Sequence, residues 1–541
     1  MRQRAERRAS TLGGSKLVVA AIVLAPGIAR AQFWSDATGP CLGSTAQWTN
    51  KVDVADLDGD GKVDILLANG GDYDTPGTPE ATRIFHNDGG GACTEISATA
   101  VGGFTGLSRV AKAFDLDGDG DLDILTGGAH HTQLKLFTRG AGTWADASAQ
   151  LPQQMTSVGD VEAGDVDGDG DMDLLLGDWG PNNPTGPTIA GGLTRLYLND
   201  GHGTFTDVTT TQMPDVLVKM SWDVELVDVD NDWDLDALVA CKYCATTLLF
   251  RNDGHGVFTS DTTALPADTN NYDFEAMDLD DDGDLDLATI NDGPQLREKI
   301  LINSGTGRFT DETSTRLTGT ANPAMADDNV AVWMDVDSDG DADLFIGRLG
   351  ADRLLINTAG VFTLAAGGTP NDTPSTLGVA AADLDGDGRL DLVQGQGESA
   401  FPDKVQLATP MVAIDTWPPS VHAAFDGTRV HARVHDHQSP SRAHDFSRVW
   451  IDDGGAGIDL HWYGEYLWTA PWTNGPVRVC ARDRRGNERC FDPTPATSDD
   501  VISGDTTRPP GEDTGCCDSG HSRPSLLPFA VLALIVRRRR R

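Results

Sequence analysis

Aspartates recur along this chain at one spacing. The pattern Asp-x-Asp-x-Asp-x-x-x-Asp occurs seven times, with its first residue at Asp56, Asp115, Asp165, Asp228, Asp278, Asp335 and Asp383. Carboxylates at this density suit the holding of a hard cation such as calcium, which takes about six to eight oxygen ligands in flexible geometry. In the first copy Asp56, Asp58, Asp60 and Asp64 can point inward at alternate positions, and the carbonyl of Lys62 can add a further ligand. Gly59 and Gly61 let the chain turn tightly with positive φ. Four carboxylates around an empty centre repel, and a divalent cation removes that penalty. An EF-hand starts the same way but needs an acidic residue at its twelfth position. Here that position holds Leu67, Thr126 or Leu176 in the first three copies, and the flanks alternate like strands. Solvated turns are the plain alternative, and seven recurrences of one spacing argue against it. The seven loops hold 34 of the chain's 83 acidic residues, so seven calcium ions would bring a net charge of -42 to -28.

The elements that must position these loops are strands. The copies lie 48 to 63 residues apart. Before each comes an alternating stretch such as Val52-Asp53-Val54-Ala55, and after it a short apolar run such as Ile65-Leu66-Leu67. A third stretch ends in an Asn-Asp-Gly turn, as in Leu196-Tyr197-Leu198-Asn199-Asp200-Gly201, and Thr204-Phe205-Thr206-Asp207-Val208 closes the unit. Four short strands per repeat is the arithmetic of a β-propeller, whereas a solenoid would supply one or two. The seventh unit lacks a clear closing stretch. Phe33-Trp34-Ser35-Asp36-Ala37-Thr38 has that pattern at the other end of the repeats, which predicts that it closes the ring as the outer strand of the seventh blade.

These units resemble FG-GAP (VCBS-type) repeats, as in the propeller of integrin α chains, over roughly residues 33–409. In that family the loop is a calcium-binding hairpin turn within the blade. The resemblance implies ligands at Asp56, Asp58, Asp60 and Asp64; Asp115, Asp117, Asp119 and Asp123; Asp165, Asp167, Asp169 and Asp173; Asp278, Asp280, Asp282 and Asp286; Asp335, Asp337, Asp339 and Asp343; and Asp383, Asp385, Asp387 and Asp391. The fourth loop keeps Asp228, Asp230, Asp232 and Asp236, but Asn231 and Trp233 replace its two glycines. A bulky residue at positive φ is strained, so the fourth site is the weakest of up to seven calcium sites.

The remaining sequence sets the context. Arg2, Arg4, Arg7, Arg8 and Lys16, the apolar run Leu17 to Ala29 and the small-x-small triplet Ala29-Arg30-Ala31 read as a secretory signal over 1–31, with a short anchor as the alternative. The cysteines pair by proximity, Cys41 with Cys93, Cys241 with Cys244, Cys480 with Cys490 and Cys516 with Cys517, as local disulfides of an oxidising compartment, though spacing alone does not fix connectivity. A propeller over 32–409 is followed by a small β-sandwich, Ig-like, over 410–492, where Arg429 to Val434 alternate and Cys480 and Cys490 flank an Arg485-Gly486-Asn487 turn. Residues 493–515 read as a linker. The tail, 516–541, joins Cys516-Cys517, the apolar stretch Leu526 to Val536 and Arg537 to Arg541. That order resembles the MYXO-CTERM sorting signal of myxobacteria and implies anchoring at the bacterial outer surface, with membrane contact through the tail; a plain tail anchor is the alternative.

No G-x-S-x-G, H-E-x-x-H or P-loop is present. The acidic balance argues against nucleic acid, whose phosphates need Lys and Arg. In the sandwich His435, Asp436, His437, His444 and Asp445 could ligate a metal or merely form a polar loop, and Trp462, Tyr463, Tyr466, Trp468 and Trp472 could stack on sugars or fill a core. The sequence thus reads as an all-β, secreted, monomeric, calcium-binding surface protein for an extracellular protein or glycan. Long insertions such as Asp72 to Glu80 and Pro181 to Gly192 are its candidate contact loops. A polysaccharide-active enzyme or lectin-like module is the alternative.

Overall fold

The computed structural model describes residues 32–71, 76–180, 190–244, 247–291, 297–323, 327–370, 373–492 and 494–495. The expected secretory signal, most of the linker, the sorting tail and residues 72–75 and 181–189 of the two contact loops lie outside the described residues. Among the described residues the chain is all-β, with helix confined to single short turns. No helix of the described residues is long and apolar enough to cross a membrane.

Seven four-stranded antiparallel sheets follow one another, each with the acidic loop as the turn between its first two strands. In the first sheet Thr49–Ala55 enters the loop, Asp64–Asn69 leaves it, and Arg83–Gly89 and Ala92–Glu95 complete the sheet. The last aspartate of each motif is the first residue of the second strand. That strand is buried along its whole length in the first sheet, which is why Ile65-Leu66-Leu67 reads as a continuous apolar run rather than an alternation. Adjacent sheets share their apolar cores: Ile65, Leu67 and Phe85 of the first pack with Val393 and Val405 of the last. The first strands of the seven sheets touch in sequence, and Thr49–Ala55 also touches Thr376–Ala382 of the seventh, so the arrangement closes on itself in a propeller-like ring.

Ring closure uses the segment that the sequence marks for it. Trp34–Asp36 pairs antiparallel with Lys404–Ala408 and supplies the outer strand of the last sheet. Trp34 is fully buried, donates its indole N–H to the Leu390 carbonyl at 2.9 Å and meets the Phe345 ring edge-on. The Cys41–Cys93 disulfide ties the turn after this strand to the outer strand of the first sheet. Cys241–Cys244 and Cys480–Cys490 are also bonded.

After the ring the chain builds two further sheets. One holds Ser420–Phe425, Arg429–His435, His461–Gly464, Leu467–Pro471 and Thr494–Pro495; the other holds Phe446–Asp452, Ile458–Asp459, Arg478–Asp483 and Glu488–Phe491. Val430, Ala432 and Val434 of the first share a core with Val449, Ile451 and Val479 of the second. This C-terminal unit rests on the acidic-loop end of the ring. The Tyr463 hydroxyl donates to the Trp233 carbonyl at 3.0 Å, and the Tyr466 hydroxyl donates to the Ala276 carbonyl at 2.7 Å. Tyr466 is fully buried, and Trp468 is buried against Phe446. Those three aromatics fill the core and the contact with the ring, while Trp462 and Trp472 are half-buried against the same core.

Candidate metal centres

Backbone geometry in the acidic loops is set by the first aspartate. In the first loop Asp56 accepts the N–H of Gly59 on one oxygen and that of Gly61 on the other, both at 2.9 Å. The bond from the fifth residue onward recurs in every loop: Gly120 to Asp115, Gly170 to Asp165, Trp233 to Asp228, Gly283 to Asp278, Gly340 to Asp335 and Gly388 to Asp383, at 2.9–3.2 Å. The donor of this bond needs positive φ. Glycine supplies it in six loops, and Trp233 takes it in the fourth with φ 72°. One turn earlier Asn231, Asp281 and Ser338 also adopt positive φ where the other loops carry glycine.

The last aspartate has a different task. Asp64 accepts N–H groups from Leu57 at 3.1 Å and from Asn87 on the third strand at 2.7 Å. An N–H on the third strand, or one residue past it, reaches the equivalent Asp123, Asp173, Asp236, Asp286, Asp343 and Asp391 at 2.7–2.8 Å. These carboxylates are almost completely buried. Burial, aided by the other aspartates of each loop, raises Asp64 to about 6, Asp123 and Asp391 to about 7, Asp173 to about 8 and Asp343 to about 9. Asp236 and Asp286 move well above the carboxylate range for the same reason.

The donor set suits a hard cation. Oxygens of Asp56, Asp58 and Asp60 lie within 4.8 Å of one another, as do those of Asp115, Asp117 and Asp123, and of Asp165, Asp167 and Asp173. Ligands about 2.3–2.6 Å from a single calcium ion span that distance. Asp117, Asp167 and, in the fourth loop, Asp230 each bury one carboxylate oxygen that no donor satisfies, a loss that a metal–oxygen bond would make good. In the first loop His86 lies 3.3 Å from Asp58 and 3.2 Å from Asp64, so that loop offers a nitrogen as well.

The fourth loop sets three of its four aspartates, Asp228, Asp230 and Asp236, against arginines. Arg433 of the C-terminal unit, 2% exposed, donates to the Asp228 carboxylate at 2.9 Å, the Asp228 carbonyl at 3.0 Å and Asn231 Oδ1 at 2.7 Å, and also to the Gly283 carbonyl of the next loop. From the ring itself, Arg251 reaches Asp230 at 2.8 Å and Asp236 at 3.1 Å. Trp233 stacks on His431 at 5.7 Å, and Arg433 lies 5.9 Å from its ring. These contacts hold the strained Trp233 backbone and place two guanidinium groups among the fourth set of carboxylates. Contact with the C-terminal unit is lighter elsewhere: Arg485 reaches Asp383 at 2.9 Å, Arg484 lies 3.9 Å from Asp56, and His422 lies 3.7 Å from Asp278.

Of the histidine–aspartate cluster in the C-terminal unit, His435 and His437 are buried edge-on to each other at 5.1 Å, while His444 stands apart beside Asp445 at 3.5 Å. Sequence reasoning missed Arg433 and Arg251. Nothing near Arg433 marks it, since its partner lies 205 residues away. Arg251 stands one residue before the Asn252 that binds Asp236, the register that His86 holds before Asn87, so the repeat could have marked it.

A family model described as FG-GAP-like repeat matches residues 56–126, 115–176, 228–289, 278–346 and 335–393, together just over half of the chain. No curated protein matches the sequence. Similar solved structures include an Agrocybe aegerita lectin recognising non-reducing terminal N-acetylglucosamine, at 17% identity and TM-score 0.40, over 61% of this chain and 85% of that one. A Bacillus licheniformis rhamnogalacturonan lyase is 14% identical with TM-score 0.38, over 71% and 77%. The V. cholerae biofilm matrix protein Bap1 is 14% identical with TM-score 0.31, over 83% and 73%. All three TM-scores are below 0.5, so these likenesses assign no shared activity.

Proposed function

This chain belongs to the FG-GAP-like repeat family, and on that footing we propose that it is a seven-bladed β-propeller capped by a small β-sandwich, stiffened by calcium and acting as a secreted, surface-anchored binding or adhesion protein. Calcium occupies six of the acidic loops. Arg433 and Arg251 supply the positive charge in the fourth. The observation that carries the calcium reading is the buried, donor-less oxygen on each of Asp117 and Asp167, set in a tight group of carboxylates that, among the described residues, no Lys or Arg pairs with; Asp230 of the fourth loop has such an oxygen too, but its carboxylate is paired with Arg251. In the other filled loops Asp56, Asp58, Asp60 and Asp64 and their counterparts hold the ion. Its role is structural: it cancels the repulsion of the carboxylates and fixes the turn between the first two strands of a blade.

The ligand face follows from topology. The first-to-second strand turns lie at the end covered by the C-terminal unit. The second strands therefore end, and the third strands begin, at the opposite end, which carries the described parts, residues 70–71, 76–82, 179–180 and 190–194, of the two longest connections between them. A protein or glycan ligand binds there, on loops held by a rigid ring.

Thermal melting of the full chain tests this reading. Excess EDTA should lower the melting temperature by several degrees, and calcium should restore it. The calcium-loaded chain should bind saturably on a glycan or matrix-protein array without turnover. An EDTA-insensitive melt would refute the structural role of calcium, and turnover of a polysaccharide would replace the binding protein with an enzyme.

A further inference from the structure

The axis of the ring holds a second, separate set of charges. Side chains two residues apart on a strand point the same way, and on the first strands of the fourth and fifth sheets this brings Asp223, Glu225, Asp273 and Glu275 to a central cavity of about 90 Å³. The C-terminal unit reaches in from the acidic-loop end with Ser439, Arg442 and Glu465. Carboxylates outnumber basic groups around this cavity by seven to three.

The three bases are already engaged. Lys51 pairs with Asp160 at 3.0 Å and Asp223 at 2.9 Å. Lys112 pairs with Asp160 at 3.3 Å and with Glu162. Arg442 pairs with Asp53 at 2.8 Å. Among the described residues, Glu225, Asp273, Glu275 and Glu465 have no Lys or Arg within ion-pairing distance. Asp273 accepts the Ala331 N–H at 2.8 Å and Glu275 accepts the Ser439 hydroxyl. Glu225 differs from both: it is 8% exposed, lines the cavity, and buries Oε2 with no hydrogen-bond partner. Its strongest electrostatic neighbours are all acids, Glu465 first, then Asp223, Glu275 and Asp273. Burial and that company drive Glu225 and Glu275 well above the carboxylate range, so the charged forms are held only if something positive joins them.

We propose that this axial cavity binds one hard divalent cation between Glu225, Asp273, Glu275 and Glu465, joining the ring to the C-terminal unit. The donors are all oxygens, which favour calcium, magnesium or manganese over softer metals. The volume admits an ion that keeps part of its water shell. Such an ion bridges two ring sheets and Glu465 of the C-terminal unit, and it satisfies the free oxygen of Glu225. The site shares no residue with the acidic loops.

Crystals of the full chain soaked in manganese chloride test this through anomalous scattering at the manganese edge. A peak is expected in the axial cavity, within about 2.0–2.4 Å of Glu225 and Glu275 oxygens, besides any peaks in the loops. The double variant Glu225→Gln, Glu275→Gln should lose the axial peak alone. These changes are near-isosteric and remove buried charge, so folding should survive them. A cavity holding only water at saturating manganese overturns the inference, as does an axial peak that persists in the double variant. Filled loops with an empty axis would leave the calcium reading of the loops intact, and a filled axis with empty loops would do the reverse.

Discussion

Replacing Arg433 with methionine tests whether a guanidinium stands in for a metal ion. Asp228 is fully buried and Arg433 nearly so. Breaking such a pair from one side leaves an uncompensated buried charge and costs about 3–5 kcal/mol. Arg433 also satisfies the Asp228 and Gly283 carbonyls and Asn231 Oδ1, which places R433M toward the upper part of that range. Its removal opens a fourth loop that still carries Asp228, Asp230, Asp232 and Asp236. On the proposed reading calcium should then enter this loop. At a free concentration one hundred times the dissociation constant, binding there would return about 2.7 kcal/mol. Urea titration followed by tryptophan fluorescence, with EDTA and with calcium, reads both terms. Equilibrium dialysis should count one more calcium per chain in R433M than in the parent protein. The double variant D228N/R433M should regain at least half of the EDTA-measured loss, because no lone charge remains. A loss below about 1 kcal/mol with an unchanged ion count would refute the substitution of arginine for metal.

The acidic loops also fix the sign of the pH response. In calcium-free protein Asp64, Asp123, Asp173, Asp343 and Asp391 sit at about 6 to 9, above about 3.9 for an unfolded chain; the native state holds extra protons, so its stability falls as pH rises from about 4 through that window. The melting temperature in EDTA should drop by several degrees between pH 5 and pH 8; in saturating calcium, where binding holds the ionised form and the native state carries no extra protons, it should stay nearly level, and parallel curves would count against ion binding. Trp34→Ala should destabilise the ring by about 3–5 kcal/mol, because the fully buried indole locks the closing strand. A melting temperature within a degree of the parent would show that the ring does not depend on this closure.

What the sequence disclosed, and what it concealed, divides by distance along the chain. The acidic loops were legible because their bonds run within nine residues: Gly61 to Asp56 and Leu57 to Asp64 are set by spacing alone. Closure by Trp34–Asp36 spans more than 370 residues, yet it was legible through an unmatched repeat, since a missing strand and a spare one can be counted. The Cys480–Cys490 staple was legible for the local reason: the two residues sit opposite each other across a hairpin. The docking of the C-terminal unit left no such trace. Arg433 occurs in a stretch whose alternation predicts a strand, Tyr466 in an aromatic cluster open to either a core or a sugar, and nothing in their own neighbourhood says that they face the ring.

The first strands carry the sharpest case of this ambiguity. Three residues before each loop the chain has Asp53, Lys112, Glu162, Glu225, Glu275, Val332 and Ala380. Taken singly, an alternating strand with a charge at that position reads as half-exposed, its polar side turned to water. In the ring those side chains turn to a shared axis, where Asp53, Lys112 and Glu225 are buried. The same alternation therefore describes an outer surface or a charged axis, and only closure of the ring decides between them. Once closed, the axis buries most of this charge away from bulk water, so much of it is balanced from within. Lys51 and Lys112 do this on the side of the first three sheets, and Arg442 arrives from the C-terminal unit to meet Asp53. The fourth and fifth sheets bring acids without bases. The C-terminal unit sends Arg433 into the fourth loop of that same sector but only Ser439 and Glu465 toward its axial acids. One unit thus neutralises the loop and adds to the axial deficit, so the electrostatic coupling of the two units is incomplete until the axis gains positive charge.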